Sequence, residues 1–260
     1  MKNFLKKLYT RFITFKNHDR FSWLFRERRR HLSFVDDLCK IFPKVNSMTS
    51  MGNYEIPTTL LQNLNNSSTI ITGGVEFHIE FEELLDQHTS ASFHFFEVDH
   101  RSIEWFKENK ARSNFKMVEM GLGSQKGTLP VYGNQFLGFS SSVDPKIYQD
   151  SELDFTVIGQ SEITTLNDYC NENMISQIDL LKLDIEGMAL EVLYSAWDNQ
   201  LIPISVLLEV ERGEHVTLES FKEEINFFTS RAELLNYKVI FLKRNDPYNS
   251  FTVEFFLIQE

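Results

Sequence analysis

Asp184 and Glu186 stand one residue apart where the apolar run Ile178 to Leu183 ends, and Lys182 lies two residues before Asp184. In an open α/β sheet, ligands bind beyond the carboxyl ends of the strands, and both acids fall there if that run is a strand. Strand alternation places Lys182 and Asp184 on one face. Two close carboxylates repel unless a cation, a proton or hydrogen bonds relieve them, so the pair suits proton abstraction or cation binding. The plainer roles are also open. Glu186 would stabilise the next helix through its dipole by about 0.3–1 kcal/mol, and Lys182 would only neutralise neighbouring acids.

A second group lies earlier. Gly73 and Gly74 follow the run Thr69 to Thr72, and glycines at such a turn let the backbone approach a ligand. Glu97 ends the segment SFHFFE about twenty residues later, where an acid accepts both hydroxyls of a ribose. Asp99, two residues on, is grouped with it. Two glycines and an acid are weak evidence on their own. Glu209 and Glu211, near the end of Ile204 to Glu211, could complete a substrate or metal pocket with His215, against the alternative of a solvated acidic loop. Ser140 to Ser142 fall in a serine-rich loop of the kind that is common everywhere.

These residues need strands and helices to hold them. Thr69 to Thr72 reads as a first strand, followed by Phe77, Phe81, Leu84, Leu85 and His88 at helical intervals. Ser92 to Glu97 reads as a second strand, with a helix over about Ser102 to Lys110. Successive βα units predict a parallel sheet with right-handed crossovers. A third strand is expected near Phe115 to Met120, then hairpin and loop from Gly121 to Pro145. Thr164 or Thr165 would cap a helix over Leu166 to Asn173. The strand Ile178 to Asp184 precedes a helix carrying Ala189, Val192, Leu193, Ala196 and Trp197. A strand over Ile204 to Glu211 precedes a helix marked by Leu218, Phe221, Ile225 and Phe228. Lys238 to Lys243 and Thr252 to Ile258 then form an antiparallel hairpin.

Composition bounds the partners. Residues 1 to 32 hold ten Lys/Arg against Asp19 and Glu27, which leaves 16 bases and 35 acids for the rest of the 260-residue chain. So acidic a body argues against a broad nucleic-acid surface. The opening segment MKNFLKKLYTRFITF has the spacing of a basic amphipathic helix, which could rest on an anionic membrane or pack on its own domain. The cluster Arg26 to Arg30 reads as a solvated turn. Cys39 and Cys170 form no metal or disulfide pattern, and no run of 18 apolar residues occurs, so a cytoplasmic setting is expected. Residues 1–45 are expected to form a helical appendage and residues 46–260 the main domain. No GxSxG, HExxH or Walker pattern is present.

Ile163 to Leu193 resembles the core of the FkbM methyltransferase family, whose hallmark is a strand ending LLKxDxEG. Here it stands as Leu180 to Gly187. GVEFHIEFE, Gly74 to Glu82, is similar to the family's GVGEDISFE-like turn, with Glu76 in place of a glycine and His78 in place of an aspartate. FHFFEVDHRSIEW, Phe93 to Trp105, is similar to the segment that follows. The resemblance spans about residues 46 to 258. It implies a Rossmann-like class I methyltransferase sheet, mostly parallel with a C-terminal antiparallel hairpin, and S-adenosylmethionine as cofactor. It further implies O-methylation of a small-molecule or glycan acceptor, with Asp184 as general base or metal ligand, Glu186 and Lys182 supporting it, and Gly73, Gly74, Glu97 and Asp99 at the cofactor. A divalent metal would involve Asp184 and Glu209. The substitutions at Glu76 and His78 leave open a catalytically silent binding protein on the same fold, and a nicotinamide oxidoreductase is the more distant alternative.

Overall fold

The computed structural model describes residues 18–42, 47–133, 140–141, 156–185, 187–212, 216–242 and 252–260. Among the described residues a 24-residue helix, α1 (His18–Ile41), comes first. It contains Arg26 to Arg30, so that cluster is helical and not the expected turn. Strands β1 (Met48–Met51) and β2 (Tyr54–Pro57) then pair antiparallel. Their two-residue loop is Gly52 and Asn53, with Gly52 at a φ of +61°. A glycine in the first loop position gives the type II′ turn that matches strand twist. A short helix, α2 (Thr58–Asn63), follows.

The main sheet is built from β3 (Thr69–Gly73), β4 (Ser92–Phe96), β5 (Phe115–Val118), β10 (Leu180–Leu183), β11 (Ser205–Glu211), β12 (Tyr237–Leu242) and β13 (Thr252–Gln259). Its order is β12-β13-β11-β10-β3-β4-β5. All neighbours pair parallel except β11–β13 and β12–β13, so the last two strands form the expected antiparallel hairpin. From β3 the chain winds outward through β4 and β5, then returns to lay β10 on the other side of β3. That reversal opens a crevice beyond the carboxyl ends of β3 and β10. This is a Rossmann-like α/β sheet with a helical N-terminal segment.

Alternation along the strands sends side chains to two cores. On one face Ile71, Phe96, Leu181, Leu183 and Leu208 pack against α5 (Leu166–Glu172), α6 (Ala189–Asp198), α7 (Leu218–Leu234) and the Phe34 and Leu38 side of α1. On the other, Ile70, Phe93, Phe95, Leu180, Leu207 and Phe256 pack against the β1–β2 hairpin, α2, α3 (Glu80–Thr89) and α4 (His100–Asn109). Within this core Phe93, Phe95, Phe106 and Phe115 stack or tilt at centroid separations of 4.8–6.4 Å.

Residues 121–164 contribute a smaller sheet, β6 (Gly121–Leu122), β7 (Gly127–Gly133), β8 (Ser140–Ser141) and β9 (Thr156–Thr164), in the order β6-β9-β7-β8. The hairpin and loop expected between Gly121 and Pro145 thus belong to a sheet whose longest strand, β9, was not anticipated. Most of β9 is exposed, so its sequence lacks the in-out hydrophobic alternation by which a strand is read.

Candidate functional site

Gly73 ends β3, and Gly74 begins the turn to α3 at a φ of +87°. A Cβ at Gly74 would collide with the carbonyl oxygen of Asp184. The two strand ends are tied here: the Asp184 amide donates to Gly73 O at 3.1 Å, and the Gly74 amide donates to Phe96 O at 3.0 Å. Beyond the junction, Glu76 and Phe77 also adopt positive φ, 43° and 64°. Left-handed backbone costs a non-glycine residue about 1–2 kcal/mol. The family-like turn therefore keeps its shape although its second glycine is Glu76.

Glu97 holds that turn. Its Oε2 accepts from the Val75 and Glu76 amides at 3.0 and 3.2 Å, and its Oε1 from the Val98 and Asp99 amides at 2.7 and 2.9 Å. A carboxylate offers about four lone-pair directions, and here backbone N–H groups take all four. A ribose diol at Glu97 would share or displace one of them. Asp99 caps α4 by accepting from the Arg101 amide and pairs with the Arg101 guanidinium at 2.6 Å.

Lys182 and Asp184 point from β10 toward the hairpin face, as alternation requires. Lys182 is buried, with Nζ 3.5 Å from Glu82 Oε1 and 3.9 Å from Asp184 Oδ2, and 5.1 Å from the centre of the Tyr54 ring. Burial alone would depress its pKa, but Glu82, Asp184 and Glu209 outweigh it and the ammonium is held above its ordinary value. Thr72 donates its hydroxyl to Glu82 Oε1 at 3.1 Å. Tyr54 donates its phenol to Asp184 Oδ2 at 2.8 Å. Burial first, then the charges of Asp184 and Glu209, push that phenol well above its usual pKa, so it remains a donor.

A cavity of about 180 Å³ brings much of this together. Gly74, Glu97, Lys182 and Asp184 line it, as do Tyr54 and Glu82. Glu76 and His78 stand at its wall and leave it open. Phe96, Val98, Leu122, Ile185 and Met188 add apolar surface. Asp184 and Glu97 emerge from β10 and β4, with β3 between them. Gly73, Asp99 and Glu209 do not line the cavity; Glu209 is buried opposite Glu254 in the β11–β13 register. Glu186, His215 and Ser142 lie outside the described residues, and for Ser140 and Ser141 only the strand is described. Among the described residues no group of three or more His, Cys, Asp or Glu is arranged to hold a metal ion.

Tyr54 and Glu82, which bond within the site, were not among the candidates. Tyr54 could have been found from Gly52-Asn53 between two β-rich tetrads, a short hairpin signal. Glu82 closes the very stretch matched to the family's turn, but nothing in its spacing marks it as buried.

No curated protein sequence matches the chain. Several solved structures are similar to it at low identity. The precorrin-6y C5,15-methyltransferase of Geobacter metallireducens has 11% identity and a TM-score of 0.40, covering 77% of this chain and 84% of its own. An rRNA methylase from Streptococcus thermophilus has 9% identity and a TM-score of 0.43, covering 77% and 91%. The fibrillarin pre-rRNA processing protein of Methanococcus jannaschii has 14% identity and a TM-score of 0.44, covering 75% and 68%. Residues 74–239, from the junction glycine to β12, match the methyltransferase FkbM domain. That span contains the glycine turn, Glu97, Lys182 and Asp184, and the chain belongs to the FkbM methyltransferase family.

Proposed function

We propose that the protein is an S-adenosylmethionine-dependent O-methyltransferase acting on a hydroxyl of a sugar, glycan or secondary metabolite. The observation that carries this reading is the convergence of Gly74, Glu97, Lys182 and Asp184 on one cavity at the reversal point of the sheet, inside the family-matched span. The cavity suits an adenosyl group, with the Glu97-held turn on one side and the apolar surface of Phe96, Leu122, Ile185 and Met188 on the other. When bound, the cofactor supplies an electrophilic methyl group. Asp184, whose side chain is 37% exposed toward this cavity, accepts the hydroxyl proton as the oxygen attacks. Lys182 offsets the charges of Asp184 and its acidic neighbour Glu82, and Glu186 is taken as the supporting acid. Gly74 leaves the cavity wall bare for the cofactor, Gly73 lets β3 end close against it, and Asp99 fixes the helix start behind Glu97. No step is assigned to a metal.

The walls favour a neutral acceptor. Glu76, Glu80, Glu82, Glu97 and Asp184 line the cavity against one lysine, so a polyanion would meet repulsion there. Binding of S-adenosylhomocysteine, read as a thermal shift, tests the core of the proposal. Ligand at 100 times its dissociation constant stabilises by about 2.7 kcal/mol. Absence of any shift at millimolar ligand would instead favour the catalytically silent reading, which the strained Glu76 and Phe77 and the fully engaged Glu97 motivate.

The basic N-terminal arm is proposed to give peripheral contact with anionic membranes. No described helix is long and apolar enough to cross one.

A further inference from the structure

The β1–β2 hairpin precedes the family-matched residues 74–239, yet it delivers a side chain into the cavity. Tyr54 opens β2 and is fixed from several directions. Its ring meets Phe81 edge-on at 5.2 Å, and Lys182 Nζ lies 5.1 Å from its centre. Met51 and Ile56 of the same hairpin are buried in the aromatic core. The hairpin base is tied by Ser47 and Thr49 to the Thr58 hydroxyl at 2.8 and 2.9 Å. A ring held this firmly gives its hydroxyl one direction.

That direction is Asp184. The phenol donates to Oδ2 at 2.8 Å, and the Lys182 ammonium approaches the same oxygen at 3.9 Å. Oδ1 accepts no hydrogen bond among the described residues. A carboxylate with one oxygen engaged and the other open to a cavity has its rotation about χ2 restricted, so the open oxygen presents one orientation. The other charges that act on Lys182 beside Asp184 are Glu82 from α3 and Glu209 from β11, both acids. They repel the carboxylate and give it no anchor, which leaves the anchoring to Tyr54 and Lys182.

We infer that Tyr54 is a positioning residue for Asp184, holding Oδ2 so that Oδ1 faces the methyl donor and the acceptor hydroxyl. This rests on the methyltransferase reading above. It makes the hairpin part of the working site and gives the residues before position 74 a functional duty.

The test is a double-mutant cycle on the full chain, using calorimetric dissociation constants for S-adenosylmethionine and S-adenosylhomocysteine as the two probes. A correctly held carboxylate favours the sulfonium charge of the first over the neutral sulfur of the second. Tyr54→Phe keeps the ring and removes only the hydroxyl. It should lower the preference for S-adenosylmethionine by about tenfold or more, the effect of losing one hydrogen bond to a charged group, and leave S-adenosylhomocysteine affinity within about twofold. In an Asp184→Asn background the same change should have no effect on the ratio. General loosening of the fold would weaken both probes together, so an unchanged ratio, or equal losses in both backgrounds, overturns the inference while the methyltransferase reading stands. Failure of the wild-type chain to bind either probe overturns both. Should Tyr54→Phe melt early, the titrations are made well below its melting temperature on protein whose near-ultraviolet circular dichroism matches wild type.

Discussion

Gly74 has no room for a side chain and a φ that other residues resist. Gly74→Ala should therefore cost about 2–4 kcal/mol, combining backbone strain with a forced separation of two strand ends. Urea denaturation would measure it. Glu76 is the converse case. At a φ of 43° it sits where glycine is at ease, so Glu76→Gly should stabilise the fold by about 0.5–1 kcal/mol once the greater unfolded-state freedom of glycine is subtracted. A lowered urea midpoint would show that the interactions of the Glu76 side chain outweigh the strain of its backbone. The sequence makes the placement of Gly74, Glu97, Lys182 and Asp184 legible, because each falls at or beside a strand end that periodicity alone locates. It does not make their partners legible. That Glu97 binds four amides, that Asp99 is a helix cap and that Tyr54 reaches Asp184 are facts of tertiary packing across separations of up to 130 residues.

At the scale of elements, α1 is joined to the sheet by more than its apolar stripe. Glu27 accepts from Arg212, at the end of β11, at 2.8 Å, and the Arg212 side chain is 1% exposed. Burial would raise the Glu27 pKa, but Arg212 and then Arg30 hold it below the usual carboxylate value. Glu27→Ala removes a charge-assisted hydrogen bond from the buried Arg212 and should cost about 1.5–3 kcal/mol in chemical denaturation. On the same helix His31 is buried beside Phe34 and Phe221, and burial, with the Arg212 charge second, depresses its pKa from 6.5 to about 4. His94 on β4, bonded to the Tyr169 hydroxyl at 2.8 Å, is depressed to about 4 by burial and Lys116. The unfolded chain protonates both near pH 6.5 and the folded chain only near 4, so acidification through that window favours unfolding. Stability should fall from about pH 6.5 toward 4, and His31→Phe should make that fall shallower in a series of melts. A helical N-terminal segment was legible in the sequence, but not its passage through Arg26 to Arg30, because that cluster is polar and the helix's apolar contacts come late, at Phe34 and Leu38.

The whole molecule separates its charges and its cores. A basic N-terminal stretch precedes an acidic body, and the main sheet divides two cores, both rich in aromatic side chains. The fold class was legible because βα alternation is a long-range pattern that survives local errors. The small sheet was not, since its longest strand faces solvent. For the membrane proposal the scale matters practically. Residues 1–17 can be deleted without touching Glu27, His31 or Phe34. That truncation should lower retention on anionic vesicles and leave S-adenosylhomocysteine binding unchanged. Equal retention by both chains would end the membrane proposal.

The bonded seam between Gly73, Gly74 and Asp184 bears on how such a protein can be altered. Because each strand end abuts the other's backbone, neither can be re-aimed alone. A redesign that swings the acid toward a bulkier acceptor would drag the glycine bend with it, and new specificity is more readily sought in the smaller sheet, whose β6 meets the cavity only through Gly121 and Leu122.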